Sequence, residues 1–136
     1  MGVQKVVNVD LTIKKHLTIL EPLNEFFLTK RVYAISSSNL SSESNLGHAH
    51  KELNQIFFAL GGNWEISLCN PESSRDFLIN EKNGLFVPAG LWRNYNPLST
   101  NSFLVVLASE IFFEGDYIRD WNSYLEWGSK HGYPIL

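Results

Sequence analysis

"NLGHAHKELNQIFFALGG", residues 45–62, is the stretch on which the fold turns. His48 and His50 flank one alanine, an apolar run follows, and Gly61-Gly62 ends it. Side chains two positions apart on a strand share a face, so a strand over 48–58 places both imidazoles in one cavity. On either side, the chain reads as short strands divided by turns. HLTIL (16–20), RVYAI (31–35), QIFFAL (55–60), NWEISL (63–68), DFLI (76–79), GLFVPA (84–89) and SFLVVLA (102–108) are rich in β-branched and aromatic residues. Gly61-Gly62, Asn70-Pro71, Asn83-Gly84 and Asn96-Pro97 supply turn chemistry between them. That rhythm predicts an all-β sandwich or barrel. The tail differs: Tyr117, Trp121, Tyr124 and Leu125 recur at helical spacing after Asp116, which reads as an N-cap, so one short C-terminal helix is expected. The serine-rich segment SSSNLSSESN (36–45) reads as a loop between strands.

Composition sets the frame for this pattern. The 136 residues suit one domain spanning 1–136, and a chain of this size buries roughly two-thirds of its unfolded surface. Hydrophobic residues make up 44% and charged residues 18%, with nine Phe, five Tyr and four Trp to fill a core. A formal charge of −3 without any Lys/Arg run predicts no nucleic-acid partner and no membrane-surface partner. Any phosphate must then be met by a few local cations. Cys69 is the single cysteine, so no internal disulfide forms, and the start lacks a charged segment followed by an apolar signal core. A cytoplasmic protein is expected.

The histidine pair admits three readings. A divalent transition metal wants imidazoles and carboxylates, with three or more protein ligands in a typical site. G-H-x-H resembles the start of a metal-binding cupin motif, and that resemblance implies a glutamate where Asn54 and Gln55 stand and a last histidine where Arg93 stands, a residue that cannot ligate. No metal is therefore expected. An imidazole that titrates near pH 6.5 can instead take and return protons at neutral pH. The third reading is that both rings simply pack, each bonded to a neighbour.

G-H-x-H, then Gln55, then Gly62, then GLFVPAGLW, resembles the two motifs of the cupin barrel. A more specific likeness rests on KRVYAI (30–35), GHAHKELNQ (47–55), LFVPAGLW (85–92), VVLAS (105–109) and EGDYIRDW (114–121). Their order and spacing resemble the dTDP-sugar 3,4-ketoisomerases of the WxcM-like cupin group, from about Leu17 to Trp121. The resemblance implies a small cupin barrel, or jelly roll, that forms a homodimer, in some cases by exchanging N-terminal strands. The VQKVVNV segment (3–9) offers such a strand. It implies no metal or organic cofactor and a dTDP-linked keto sugar as partner. The reaction implied moves the carbonyl of dTDP-4-keto-6-deoxyhexose from C4 to C3, within the biosynthesis of 3-amino-3,6-dideoxy sugars.

Carried onto this chain, the resemblance makes His50 the principal base, with His48 as its orienting or relay partner. Tyr33 is the match to an active-site tyrosine; a tyrosine filling the core is the other reading. Arg31 and Arg119 fall in matching segments and would meet the diphosphate, although Arg119 could instead pair with Asp116 or Asp120. Gln55 and Arg93 are expected to join them in binding the substrate. The chain departs from the family pattern at Asn45 and Leu46, where arginine and glycine are usual, at Ala34, where a second aromatic is common, and at Arg93, where histidine is usual. One interpretation is an isomerase in which Arg93 supplies the charge absent at Asn45. Another is a cupin that binds a nucleotide sugar or other small ligand without turnover, and a third is a cupin sugar epimerase.

Overall fold

In the computed structural model the described residues are 5–21, 24–38, 40 and 46–136. Twelve short strands and one helix form among them. They are β1 (Val7–Asp10), β2 (Thr12–Lys14), β3 (Leu17–Ile19), β4 (Arg31–Ser36), β5 (Ala49–His50), β6 (Gln55–Leu60), β7 (Trp64–Cys69), β8 (Ser74–Ile79), β9 (Asn83–Val87), β10 (Trp92–Pro97), β11 (Phe103–Ala108), β12 (Tyr117–Ile118) and α1 (Trp121–His131). A five-stranded sheet in the order β1-β9-β6-β11-β4 faces a three-stranded sheet in the order β10-β7-β8. Two ribbons, β12-β5 and β2-β3, complete a cupin-like jelly roll with a single C-terminal helix.

Strand alternation builds the core. On β6, Phe57 and Ala59 point inward with Leu85, Val87, Leu104 and Val106, to meet Trp64, Ile66, Leu68 and Tyr95 of the opposing sheet. The intervening residues Ile56 and Leu107 face outward, where Phe26, Phe27 and Phe86 cover them in a second cluster. After Gln55 the strand is therefore apolar on both faces, because both are covered over 56–59. Val106 lies opposite both Tyr33 and Phe57, and Ala108 opposite both Arg31 and Gln55. Tyr33 and Gln55 thus stand diagonally across the small residues of β11.

Four local expectations are corrected. The strand expected over 48–58 breaks at Lys51–Asn54, because this segment passes from the β5-β12 ribbon to the five-stranded sheet. Its backbone donors bond elsewhere: Glu52 N–H to Asp116 Oδ1 and Asn54 N–H to Ser109 Oγ. Asn83-Gly84 opens β9 and Asn96-Pro97 closes β10; neither is a turn. The turn before β9 is held by Asn80, whose Oδ1 accepts from Lys82 and Asn83. Asp116 is not the helix N-cap. Asp120 takes that place, accepting from Ser123 N–H at 2.9 Å, and Tyr117 lies in β12. Asn70 does make its expected turn, accepting from Glu72 and Ser73.

Asn45 and most of the serine-rich loop lie outside the described residues. Within the single chain, β1 pairs with β9 of the same chain. Among the described residues no helix is long and apolar enough to cross a membrane.

Candidate active site

The site begins at Gly47. Its backbone is left-handed (φ +93°), and a Cβ there would collide with Trp92 Nε1, so glycine alone lets the chain press against that indole. His48 then exchanges backbone bonds with Arg93, at 3.2 Å and 2.8 Å. Two residues on, His50 pairs with Tyr117 across the β5-β12 ribbon. The imidazoles of His48 and His50 stand edge to face, 4.9 Å apart. Tyr117 covers both rings, at 5.3 Å and 4.4 Å. The strand alternation read from the sequence thus brings both histidines into one compartment, and Tyr95 joins His48 there at 6.0 Å.

His50 is completely buried, and its two nitrogens differ. Nδ1 lies 3.0 Å from Asp116 Oδ2, while Nε2 is buried with no hydrogen-bond partner. Burial pushes Asp116 up, but the bonds from His50 and from the backbone N–H groups of Glu52 and Leu53 outweigh it and hold the carboxyl below its ordinary value. An ionised carboxylate only accepts. Nδ1 must therefore carry the proton and donate it to Asp116. Burial, joined by the Arg93 charge and opposed by Asp116, lowers His50 to about 4, so at neutral pH Nε2 holds a bare lone pair. Asp116 plays a part for which it was not marked in the sequence: it orients the His50 imidazole.

His48 is lowered to about 2, first by burial and then by Arg93, His50 and Arg119. Both histidines thus titrate in the folded state below their ordinary 6.5. As pH falls through 6.5 the unfolded chain takes up protons that the folded chain refuses, so stability declines from there toward the folded-state values. For His50 alone the window from 6.5 to about 4 is worth about 3 kcal/mol. Asp116 adds its own loss only below its ordinary 3.8. Urea midpoints measured from pH 7 down to pH 4 are expected to fall, with the fall shallower in His50→Gln. An equally steep fall in that variant would assign the acid sensitivity to other groups.

Arg93 is fully buried rather than presented to solvent. Its Nη1 donates to Gln55 Oε1 at 2.6 Å, its Nη2 to Leu91 O at 3.0 Å and Pro88 O at 3.3 Å, and its Nε to Leu91 O at 3.3 Å. Gln55 Nε2 in turn donates to Tyr33 Oη at 2.9 Å. The structure therefore joins three of the expected site residues in one chain of bonds. Arg31 and Arg119 stand apart from it. Arg31 lies over the rings of Tyr33 (4.5 Å) and Phe112 (5.5 Å), and Arg119 over Tyr117 (4.2 Å). Arg119 also grips Glu114 with two bonds, at 2.8 Å and 3.1 Å, not Asp116 or Asp120. Phe112 and Tyr117 are 5.7 Å apart, so an aromatic bridge links the half-buried Arg31 to the exposed Arg119.

Among the described residues no group of three or more His, Cys, Asp or Glu side chains is placed to hold a metal ion. A cavity of about 340 Å³ runs along the outer side of Asp116, lined by Lys51, Glu52, Glu110, Ile111, Phe113 and Gly115. Neither histidine lines it. Of the residues the sequence reading missed, Asp116 and Tyr117 both lie within EGDYIRDW, and their signal was present but spent on a helix start.

A histidine pair at a short strand inside a cupin-like jelly roll, one imidazole with Nε2 bare and Nδ1 held by a carboxylate, gives the fold a buried group able to accept a proton. Residues 5–129 match the family described as "FdtA: WxcM-like, C-terminal", and the chain belongs to that family. A curated relative from Aneurinibacillus thermoaerophilus, TDP-4-oxo-6-deoxy-alpha-D-glucose-3,4-oxoisomerase, is 29% identical over 130 residues, 93% of each chain. Among solved structures, QdtA, a sugar 3,4-ketoisomerase from Thermoanaerobacterium thermosaccharolyticum in complex with TDP, superposes with a TM-score of 0.79 at 26% identity, covering 94% of this chain and 97% of that one. A 3,4-ketoisomerase from Helicobacter canadensis gives a TM-score of 0.76 at 29% identity, over 92% and 96%.

Proposed function

We propose that this protein is a 3,4-ketoisomerase of dTDP-4-keto-6-deoxyhexoses, acting by metal-free proton transfer through an enediol in the making of 3-amino-3,6-dideoxy sugars. One observation carries the reading: His50 Nε2 is buried and without a partner while Nδ1 is committed to Asp116. That is the arrangement of a general base held in one tautomer. Nε2 takes the proton from C3, the C–H electron pair becomes the C3=C4 bond, and the C4 oxygen gains a proton. In the second half the C3 hydroxyl gives up its proton as C3=O forms, and C4 receives one. His48, 4.9 Å from His50 and kept neutral by burial and Arg93, supports the base as orienting or relay partner. Because His50 is fully buried, a ligand meets Nε2 only after its neighbours give way, and Tyr117 and His48 have the nearest rings.

Incubation with dTDP-4-keto-6-deoxyglucose is expected to yield a 3-keto product, detected by coupling to a 3-aminotransferase. No turnover would overturn the assignment for that substrate. Arg31 and Arg119, spread over the Phe112–Tyr117 bridge, are the cations that would receive the diphosphate. Arg119→Gln is expected to raise KM about tenfold with little change in kcat, the mark of binding shared by ground and transition states, whereas Arg31→Gln, whose charge also acts on the Tyr33 phenol, is expected to raise KM and lower kcat together. An unchanged KM in both would send the diphosphate elsewhere.

We further infer a homodimer. β4 is the edge of the five-stranded sheet among the described residues. Val32, with Phe103 and Leu60 beyond it on the same face, leaves large apolar groups exposed there. Light scattering at micromolar concentration is expected to give twice the chain mass, and the chain mass alone would refute the dimer.

A further inference from the structure

Arg93, Gln55 and Tyr33 form a chain of bonds whose direction is fixed by chemistry. A guanidinium only donates, so the Gln55 atom 2.6 Å from Arg93 Nη1 must be the amide oxygen. The opposite amide orientation would set an NH₂ against a cation. Gln55 Nε2 is therefore the atom turned to Tyr33, and at 2.9 Å it donates to the phenolic oxygen. A phenol has one proton to give, and Gln55 as a donor cannot take it. That proton is left to point away from Gln55. We propose that Arg93 and Gln55 are positioning residues that set the polarity of Tyr33, so that its hydroxyl proton is offered to the oxygen that becomes negative in the enediol. This rests on the isomerase reading of the site.

The burial of Arg93 supports a role beyond packing. A fully buried cation that donates to an amide and to the carbonyls of Pro88 and Leu91, with no carboxylate bonded to it among the described residues, is an expensive way to fill a core. An apolar side chain would fill it at less cost. What the cation adds is a fixed positive field inside a water-poor barrel, which favours negative charge developing beside it. Around Tyr33, burial and Tyr117 raise the phenol, while Arg31, Arg93 and the bond from Gln55 pull it down. Arg93 also pairs by backbone with His48. One residue therefore ties the histidine side of the cavity to the tyrosine side.

Gln55→Glu tests the polarity without a change of shape. The new carboxylate still accepts from Arg93, but it now also accepts from Tyr33 and turns the phenolic proton back toward itself. Turnover is expected to fall about 10²-fold in kcat, as when one hydrogen-bond donor to a developing oxyanion is lost. KM should barely change, and the double variant with Tyr33→Phe should be no slower than the slower single one. Independently of turnover, the ionisation midpoint of Tyr33, read by fluorotyrosine NMR, is expected to rise by about one unit or more. If Gln55→Glu does not fold, Gln55→Met removes the donor, and the midpoint is again expected to rise. Wild-type kcat in the folded variant, or a Tyr33 midpoint that does not move, overturns the proposal. Should the wild-type protein fail to turn over the keto sugar, the isomerase reading falls, and the proposal with it as a catalytic device. The Tyr33 titration then still decides whether the bonds run in the direction derived.

Discussion

His50→Asn is expected to cut turnover of the keto sugar by about 10²–10⁴-fold, the range that a positioned general base contributes. The protein should still bind dTDP, because neither Arg31 nor Arg119 contacts the lost ring among the interactions described. Asp116→Asn is expected to reach much of the same loss by a different route. An amide can present either oxygen or NH₂ to Nδ1, so the imidazole is no longer held with its proton on Nδ1 and its lone pair on Nε2. Loss of the charge also removes the attraction that favours a protonated His50, so the imidazole should titrate further down, below about 4. Paired kcat measurements and imidazole NMR on the two variants check this. Full activity in Asp116→Asn would mean that the carboxylate holds structure only.

Gly47→Ala is expected to cost about 3 kcal/mol, or a fall in Tm of about 10 °C. Two penalties add: a left-handed backbone that alanine resists, and a methyl group driven into the Trp92 indole. Trp92 has little room to yield, since it packs against Trp121 at 5.3 Å and Tyr124 at 5.6 Å, and Tyr124 is itself fully buried. Gly132→Ala separates the two penalties. Gly132 also has a positive φ (+81°, with ψ 176°) that glycine alone favours, but a Cβ there meets nothing within 4 Å, so only the backbone part, about 1–2 kcal/mol, should appear. Thermal melts that place Gly47→Ala level with Gly132→Ala would remove the argument from Trp92.

Most of the sheet strands were legible because their apolar periodicity depends only on which faces are covered, but β10 was not, since WRNYNP is largely polar and ends in a pair that favours a turn. QIFFAL runs over its expected residues, and RVYAI, NWEISL and SFLVVLA shift by one residue or less at either end. What escaped was set by partners far along the chain. No local signal says that the strand through His50 stops at Lys51; the cause is Asp116, which draws away the Glu52 amide. Asp116 looked like a helix cap because Asp120, four residues later, offers the same chemistry, and only the register of β12 decides between them. Arg93 read as a charge facing a substrate, since arginine is seldom fully buried. Its acceptors are mostly main-chain carbonyls, which any sequence provides and none advertises.

The ribbon of β5 and β12 also bears on the order in which the molecule assembles. His50 and Asp116 are 66 residues apart, and six of the eight strands of the two main sheets lie between them. Closing so long a loop is entropically costly until the intervening sheets have shortened it. The main sheets can therefore condense around Phe57 and Trp64 before the carboxylate reaches the imidazole. Competence for proton transfer would then be acquired in a late kinetic phase, after most of the fluorescence change that reports tryptophan burial.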